Sequence, residues 1–373
     1  MEQNNPATNA TLGQPATSKR SKTGATDASD VTIAVMGATG SGKSTFINLA
    51  SNSTLQIGSG LHSCTSAVQI ARSFKLNGRN VTFIDTPGFD DTTKSDADVL
   101  RMIAAFLATA YENGKTLAGV IYLHRISDFR MGGISTRNFK MFRQLCGEST
   151  LGNVVIVTNM WSEVSEDVGS AREAELVSDD LFFKPVLSKG AQMLRHDNTP
   201  ASAHAILSRI IDNHPLPLQI QRELVDEKMD IADTAAGEEL NRELKIQLEK
   251  HKQEMKMLQE EMQEAIREKD EETRRELETA TSKLEKEMAR VQSDSQNLVS
   301  QYMEEKNDLE KRVQDLSETA RQEAEKRNDL YAEQMQDLRV QLNASSSDRA
   351  RLSQQMDDLR RQMEENSNSC VVM

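Results

Sequence analysis

The chain has 373 residues, a net charge of −13, 37% hydrophobic residues and 4% aromatic residues. This charge excludes nucleic acid as a general partner, because phosphate contacts need clustered Lys and Arg. The low hydrophobic content is typical of a compact part joined to a long polar part. Cys64, Cys146 and Cys370 have no paired spacing, and no apolar run approaches the roughly 18 residues of a membrane span. We therefore expect a cytoplasmic protein.

The chain divides by composition into a polar tail, an α/β domain and a polar helical region. Residues 1–29 have almost no apolar side chains and cannot offset the entropy of ordering, so we predict a disordered tail. From residue 30 to 215, short β-rich runs alternate with helical stretches, as in a layered α/β domain. The predicted strands are 31–36, 68–74, 80–84, 119–123, 153–158 and 182–187, and the predicted helices begin at 45 and cover 96–111, 135–145 and 201–212.

Residues 37–44 form the pattern G-x-x-x-x-G-K-S between an apolar strand and a helical start. Glycines allow positive φ and let successive N–H groups point at phosphate oxygens, and the helix start adds its positive dipole end. An ordinary glycine-rich turn is the alternative, but the strand and helix context favours a phosphate loop. The predicted binding residues are Gly37, Gly40, Ser41, Gly42, Lys43, Ser44 and Thr45.

The D-T-P-G motif at residues 85–88 follows a strand expected beside the first one. Asp85 can hold Mg²⁺ together with the Ser44 hydroxyl, and the Gly88 amide can face the outer phosphate. Thr65 is the predicted third Mg²⁺ ligand, with Ser63 and Ser66 as alternatives. The predicted catalytic set is Lys43, Thr65 and Gly88.

The phosphate loop and the D-T-P-G motif resemble those of the translation-factor-related GTPases, in the branch of septins, immunity-associated GTPases and Toc chloroplast receptors. Residues 124–133 and 154–161 resemble those of a group of fungal G-domain proteins. The resemblance covers residues 31–214 and implies a three-layer P-loop NTPase G domain that binds GTP or GDP with Mg²⁺. It also implies contacts to the base from Thr158 and Asn159, and from Ser188 and Lys189 in a loop after the last strand.

The guanine-reading motif departs from the family pattern, because residues 158–162 (T-N-M-W-S) lack the Asp of N-K-x-D. A site that reads hydrogen bonds loses discrimination without that group. Trp161 could stack on the base or simply pack at a strand end. Guanine preference therefore depends on the resemblance, and ATP stays the rival ligand.

Phe89 stands where Ras-like members carry the glutamine that orients the attacking water. We therefore expect slow hydrolysis, at or below the order of 10⁻³ s⁻¹ for unassisted switches. Arg125 or Arg130 could supply charge to a neighbouring active site, although local ion pairs are the plainer interpretation.

Residues 238–365 contain no Gly or Pro and repeat apolar residues at alternating steps of three and four. This spacing predicts a coiled coil, with a single charged helix as the alternative. A continuous helix there would extend on the order of 180 Å. Residues 216–237 are predicted as a linker between the two parts.

Residues 366–373 are predicted as a flexible tail that ends in Cys370-Val371-Val372-Met373, a C-a-a-X pattern with Met favouring farnesyl. One prenyl chain binds membrane only marginally, so we expect a coiled-coil dimer to place two lipids side by side. The expected partners are a second copy, through the G domain or the coiled coil, an unidentified effector protein and a membrane surface. The sequence supports two functions, a nucleotide-dependent switch and a structural tether in which the nucleotide is a bound cofactor.

Overall fold

The computed structural model describes residues 30–55, 67–90, 94–128, 132–268, 271–344 and 349–369. The predictions for the 1–29 tail, for Thr65 and for Cys370 fall outside these residues.

One mixed sheet forms the centre of the N-terminal domain. Within the described residues its seven strands follow the order β2-β4-β1-β5-β6-β7, and β3 also pairs with β4. The β1, β4, β5, β6 and β7 strands are parallel, so their carboxyl ends lie along one edge. The strands are β1 Asp30–Gly37, β2 Gln69–Ile70, β3 Phe74–Leu76, β4 Arg79–Asp85, β5 Gly119–Arg125, β6 Val154–Asn159 and β7 Gln192–Arg195.

Helices cover both faces of this sheet, which confirms the three-layer α/β fold. Helix α1 packs with α6 on one face, and α2 packs with α3 on the other. None of the described helices combines the length and apolarity that a membrane span needs. The helices are α1 Lys43–Ser51, α2 Asp96–Glu112, α3 Gly133–Cys146, α4 Glu166–Ser178, α5 Lys184–Leu187, α6 Pro200–Leu207, α7 Gln219–Gln221, α8 Ala235–Glu268, α9 Glu271–Ala344 and α10 Arg349–Ser369.

The predicted strand at 182–187 is wrong. The α5 helix occupies most of this stretch, and the last strand is β7. Pro185 lies in the first turn of α5, where the missing N–H costs nothing. Phe183 and Val186 are buried from this helical turn, so apolar composition alone did not distinguish the two structures.

The predicted linker at 216–237 is also wrong, because this segment packs onto the domain. The Leu216 N–H donates to the Leu117 carbonyl at 3.0 Å. Ile220 and Ile231 are completely buried in the apolar cluster that contains α2 and α3. The segment therefore belongs to the folded domain.

The C-terminal region is helical as predicted, but it does not form one extended stalk. The α9 helix runs back along α8 and onto α2, and Ser295 Oγ donates to Asn241 Oδ1 at 3.1 Å. Leu298 and Tyr302 lie in the same apolar cluster as α2. The heptad seam thus finds its partners within the chain. The α10 helix continues to Ser369, so residues 366–369 are helical rather than a flexible spacer.

Candidate functional site

The loop between β1 and α1 is in close contact with β5 and β6. Gly37, Gly40 and Gly42 have φ of 142°, 75° and 91°, which L side chains rarely adopt. A Cβ on Gly37 would lie 2.4 Å from the Leu123 carbonyl oxygen, and one on Gly42 would lie 2.6 Å from Asn159 Nδ2. Glycine is therefore required at these two positions by space as well as by conformation.

The Lys43 side chain is hydrogen-bonded to the backbone of this loop. Its Nζ donates to the Gly37 carbonyl at 3.1 Å and to the Ala38 carbonyl at 3.0 Å. The residue is only 6% exposed. A buried ammonium at the centre of a loop of amides is an arrangement that attracts an anion.

Ser44 and Asp85 meet at the carboxyl ends of β1 and β4. Ser44 Oγ donates to Asp85 Oδ2 at 2.6 Å. Asp85 Oδ1 is buried with no hydrogen-bond partner among the described residues. Burial raises the pKa of Asp85, while the Ser44 hydrogen bond and the Lys43 charge lower it. A hydroxyl beside a carboxylate with an unused oxygen fits the ligands of Mg²⁺. Thr45 follows, half-buried, in the first turn of α1.

The segment after β4 lies directly on the phosphate loop. The Thr39 N–H donates to the Phe89 carbonyl at 2.8 Å, and Thr39 Oγ1 donates to the Gly88 carbonyl at 3.3 Å. A Cβ on Gly88 would lie 2.5 Å from Thr39 N. Gly88 and the loop are therefore in direct contact, and Phe89 is fully buried.

Asn159 ties the end of β6 to the loop. Its Nδ2 donates to the Ser41 carbonyl at 3.2 Å, and its Oδ1 accepts from the Met160 N–H at 2.7 Å. Both ends of its amide are thus used to hold backbone. Asn159 therefore positions the phosphate loop relative to the end of β6. Ser41 Oγ is buried without a partner in the described part of the chain.

Trp161 is packed rather than presented to a ligand, which favours the packing alternative. Its Nε1 donates to Thr158 Oγ1 at 3.1 Å and to the Thr158 carbonyl at 3.2 Å. The Arg195 guanidinium carbon lies 3.9 Å from the centre of the indole ring. A Cβ on Gly169 would lie 2.6 Å from the ring. Thr158 and Trp161 therefore stabilise the end of β6 against α4.

Ser188 and Lys189 do not lie in the base-contacting loop, because they precede β7 instead of following the last strand. Lys189 Nζ pairs with Glu148 Oε2 at 3.0 Å, and Glu148 lies in a 3₁₀ turn before β6, at the amino end of the sheet. The loop after β7 contains residues 196–199, and the His196 N–H donates to the Thr158 carbonyl at 2.8 Å. Because the last strand was predicted at 182–187, the loop after β7 was not identified from the sequence.

Arg125 lies beside the phosphate loop at the end of β5. Asp128 holds its Nε at 3.0 Å. Its Nη1 would lie 3.3 Å from a Cβ on Gly40. The local ion pair predicted from the sequence is therefore present, and the same guanidinium adds positive charge next to the loop.

Residues 32–161 match the family described as 50S ribosome-binding GTPase. No curated protein sequence matches the chain. Solved structures with a similar fold include Toc33 from Arabidopsis thaliana in complex with Mg²⁺ and GMPPNP. Its identity is 18%, its TM-score is 0.40, and the match covers 49% of this chain and 84% of Toc33.

Two further solved structures match the same half of the chain. The G domain of the T. maritima FeoB iron transporter is 14% identical, covers 49% of this chain and 98% of its own, and has a TM-score of 0.31. Aquifex aeolicus Era bound to GDP·AlF₄⁻ is 16% identical, covers 50% of this chain and 58% of its own, and has a TM-score of 0.36.

Proposed function

We propose that the N-terminal domain, in which residues 32–161 match the 50S ribosome-binding GTPase family, is a G domain of the P-loop GTPase class, and that this protein binds GTP and GDP with Mg²⁺ and acts as a nucleotide-dependent switch. The observation that carries the proposal is the juxtaposition of Lys43, Ser44 and Asp85 at one end of a glycine loop. This set supplies a cation, a hydroxyl and a carboxylate where a phosphate chain and its metal ion would bind.

Each of these residues has a distinct role in the proposal. Lys43 exchanges its contacts with two loop carbonyls for contacts with the outer phosphates. Ser44 and Asp85 would hold Mg²⁺. When bound, the ion would neutralise the negative charge of the phosphates. The buried, unpaired oxygen of Asp85 supports this assignment.

We further propose that unassisted hydrolysis is slow. Phe89, at the position after the D-T-P-G motif, is fully buried and has no group that orients water. The expected rate is at or below the order of 10⁻³ s⁻¹. Turnover of several GTP molecules per second by the isolated protein would contradict this.

Preference for guanine is a part of the proposal that depends on the matched family. The Asp that normally holds both guanine N–H groups is absent from residues 158–162. We therefore expect weaker discrimination against ATP than in GTPases that keep this Asp. The narrower assignment to the septin, immunity-associated and Toc branch stays a prediction.

Calorimetry of the purified full chain with GDP, a non-hydrolysable GTP analogue and ATP, with and without Mg²⁺, tests the proposal. We expect binding of guanine nucleotides that Mg²⁺ strengthens for the triphosphate. Lys43→Ala should abolish the heat, while Lys189→Ala, a lysine at the opposite end of the sheet, should leave it unchanged. No heat with any purine nucleotide would contradict the proposal.

The structural tether is the second candidate function, and the long helices of the C-terminal half favour it. In that case the nucleotide is a structural cofactor. A switch predicts that the oligomeric state, through the G domain or the helices, or the affinity for an effector protein, differs between GDP and the GTP analogue. Light scattering after gel filtration in each nucleotide distinguishes the two, because a tether behaves identically in both.

Attachment to a membrane stays a prediction from residues 370–373, which lie outside the described part of the chain. Replacement of Cys370 by serine should move the protein from the membrane fraction to the soluble fraction of lysed cells. Retention on membranes by this variant would contradict prenylation.

A further inference from the structure

We propose that the partner that responds to the nucleotide is the hairpin of helices α8 and α9 in the same chain, and that the triphosphate loosens its contact with the G domain. This inference rests on the proposed function, because it assigns the output of that same site. The interaction surface is formed by α2, Phe89 and Asp90. The hairpin is the segment that covers it.

The hairpin contacts α2 through both apolar and charged side chains. Leu298 of α9 is 1% exposed and lies in one apolar cluster with the core residues of α2. Lys306 Nζ pairs with Glu112 Oε1 at 2.7 Å, and Arg101 donates to Gln301. Polar side chains therefore join α9 to α2 at both Arg101 and Glu112.

A cavity of about 220 Å³, lined by both charged and apolar side chains, lies at the end of this contact nearest to the phosphate loop. Its walls include Asp90, Asp96 and Arg137 from the G domain and His251, Arg290 and Asp294 from the hairpin. In the described residues, Arg137 Nε and His251 Nδ1 are buried there without hydrogen-bond partners. Unpaired buried polar atoms cost free energy, so these two atoms lower the stability of this end of the interface.

A short series of contacts joins the phosphate loop to this cavity. Thr39 holds the Phe89 carbonyl at 2.8 Å, and the next residue, Asp90, lines the cavity. The Asp90 N–H donates to Asp96 Oδ1 at 3.3 Å, and Asp96 pairs with Arg137 at 2.7 Å. Asp90 has a φ of 65°, an uncommon conformation for a residue other than glycine.

This geometry gives the direction of the effect. The Phe89 carbonyl occupies the Thr39 N–H, which is one of the loop amides available to phosphate oxygens. A γ-phosphate that binds this amide must therefore displace the segment, and Asp90 moves with it away from Asp96. Loss of that hydrogen bond weakens the end of the interface that already has unpaired groups, which is how order changes in switch segments reach distant elements.

Hydrogen exchange of the full chain with Mg²⁺ and either GDP or the GTP analogue tests this inference. We expect amides of residues 291–309 and of α2 to exchange at least about fivefold faster with the triphosphate, the low end of known coupling. Equal exchange, or slower exchange with the triphosphate, would overturn the inference.

Reciprocity supplies a second test that does not depend on exchange. Lys306→Glu places two carboxylates at the Glu112 contact, so it should raise the ratio of triphosphate to diphosphate affinity by about fivefold. The double variant Glu112→Lys with Lys306→Glu restores opposite charges and should return the ratio toward the wild-type value. Lys311→Glu makes the same charge change on an exposed side chain of α9 and should have no effect.

The two failures are distinguishable in these measurements. Nucleotide binding with an unchanged affinity ratio in Lys306→Glu would overturn the hairpin inference and leave the proposed function intact. Absence of nucleotide binding by the wild-type chain would overturn both.

Discussion

Asp85 is the residue whose ionisation links the site to the stability of the domain. Its burial raises the pKa, and neither the Ser44 hydrogen bond nor the Lys43 charge fully reverses this. A carboxylate held in this way is unfavourable when charged, and its Oδ1 has no hydrogen-bond partner among the described residues. Asp85 is thus suited to bind a metal ion, but its charged form lowers the stability of the domain. Shifted pKa values of this kind cluster at functional sites.

Asp85→Asn should change how stability depends on pH. Between the ordinary carboxyl pKa of 3.8 and the raised folded value, the native chain keeps a proton that the unfolded chain has lost. Stability therefore falls as pH rises through this window, and Asp85→Asn removes the effect. We expect the stability advantage of the variant to grow from about pH 4 upward, measured by thermal unfolding without divalent cations.

The matched control for this prediction is Asp197→Asn, where the sign is opposite. Hydrogen bonds from Ser202 and Thr199 lower the pKa of Asp197. The wild-type protein therefore gains stability as pH rises from this lowered pKa to the ordinary carboxyl pKa. A stability difference for Asp85→Asn that is constant from acid to neutral pH would contradict the prediction.

Gly88→Ala tests the close approach between the D-T-P-G segment and the phosphate loop. The added methyl would lie 2.5 Å from Thr39 N, so backbone must shift, and we expect a loss of about 1–3 kcal/mol. Gly152→Ala is the control, because a Cβ there meets nothing within 4 Å, and it should change stability by less than about 0.5 kcal/mol. Denaturant unfolding of both variants measures the loss of stability. Equal losses in Gly88→Ala and Gly152→Ala would contradict the close approach of Gly88 to the phosphate loop.

At the scale of elements, the segment between α6 and α8 joins the two halves of the molecule. Its short helical turns bury Ile220, Leu224 and Ile231 beneath α2 and α3. Gln221 Nε2 also donates to the Leu107 carbonyl of α2 at 2.9 Å. The hairpin therefore begins from a fixed point on the G domain, and its direction is set before α8 starts.

Ile220→Ala should destabilise the G domain, which a flexible linker would not do. Ile220 is 0% exposed and Ile246, on α8, is 56% exposed. We expect losses of about 2–4 kcal/mol for Ile220→Ala. The same change at Ile246 should cost less than about 0.5 kcal/mol. Chemical denaturation followed by the fluorescence of Trp161 in the G domain compares them, and similar values for both would contradict the packing.

At the scale of the whole molecule, the helical half folds back on the domain instead of projecting from it. The α8 and α9 helices run antiparallel, so residues far apart in sequence become neighbours. Leu244, Leu284 and Leu298 along their apolar seam are buried within one chain, whereas Met257, Ile266 and Leu316 are exposed.

Cross-linking of Asn241→Cys with Ser295→Cys distinguishes the hairpin from an extended stalk. These side chains are hydrogen-bonded at 3.1 Å, whereas in one continuous helix they would be about 80 Å apart. With Cys64 and Cys370 replaced by serine, a short bifunctional thiol reagent should link them within one chain. Asn241→Cys with Leu316→Cys is the control and should not react; no link in the first pair would contradict the hairpin.

The chemistry of the site is the part that the sequence by itself determined. The glycine loop, Lys43, Ser44 and the Asp85–Gly88 motif are local patterns whose spacing follows from a strand, a turn and a helix. Parallel strands then bring Asp85 to Ser44, as predicted. The helical nature of residues 238–365 was equally local, since helix preferences act over a few residues.

Only the tertiary structure decided where the remaining segments lie. Residues 182–187 have the composition of a strand, yet Pro185 and the packing of Phe183 make a helix. The position of Lys189, far from the site, follows from that one change. The heptad pattern predicts that a helix packs against an apolar partner but does not identify that partner. In this structure α9 packs against α8 and α2 of the same chain. Burial of α9 against α2 is a long-range contact, and local sequence carries no information about it.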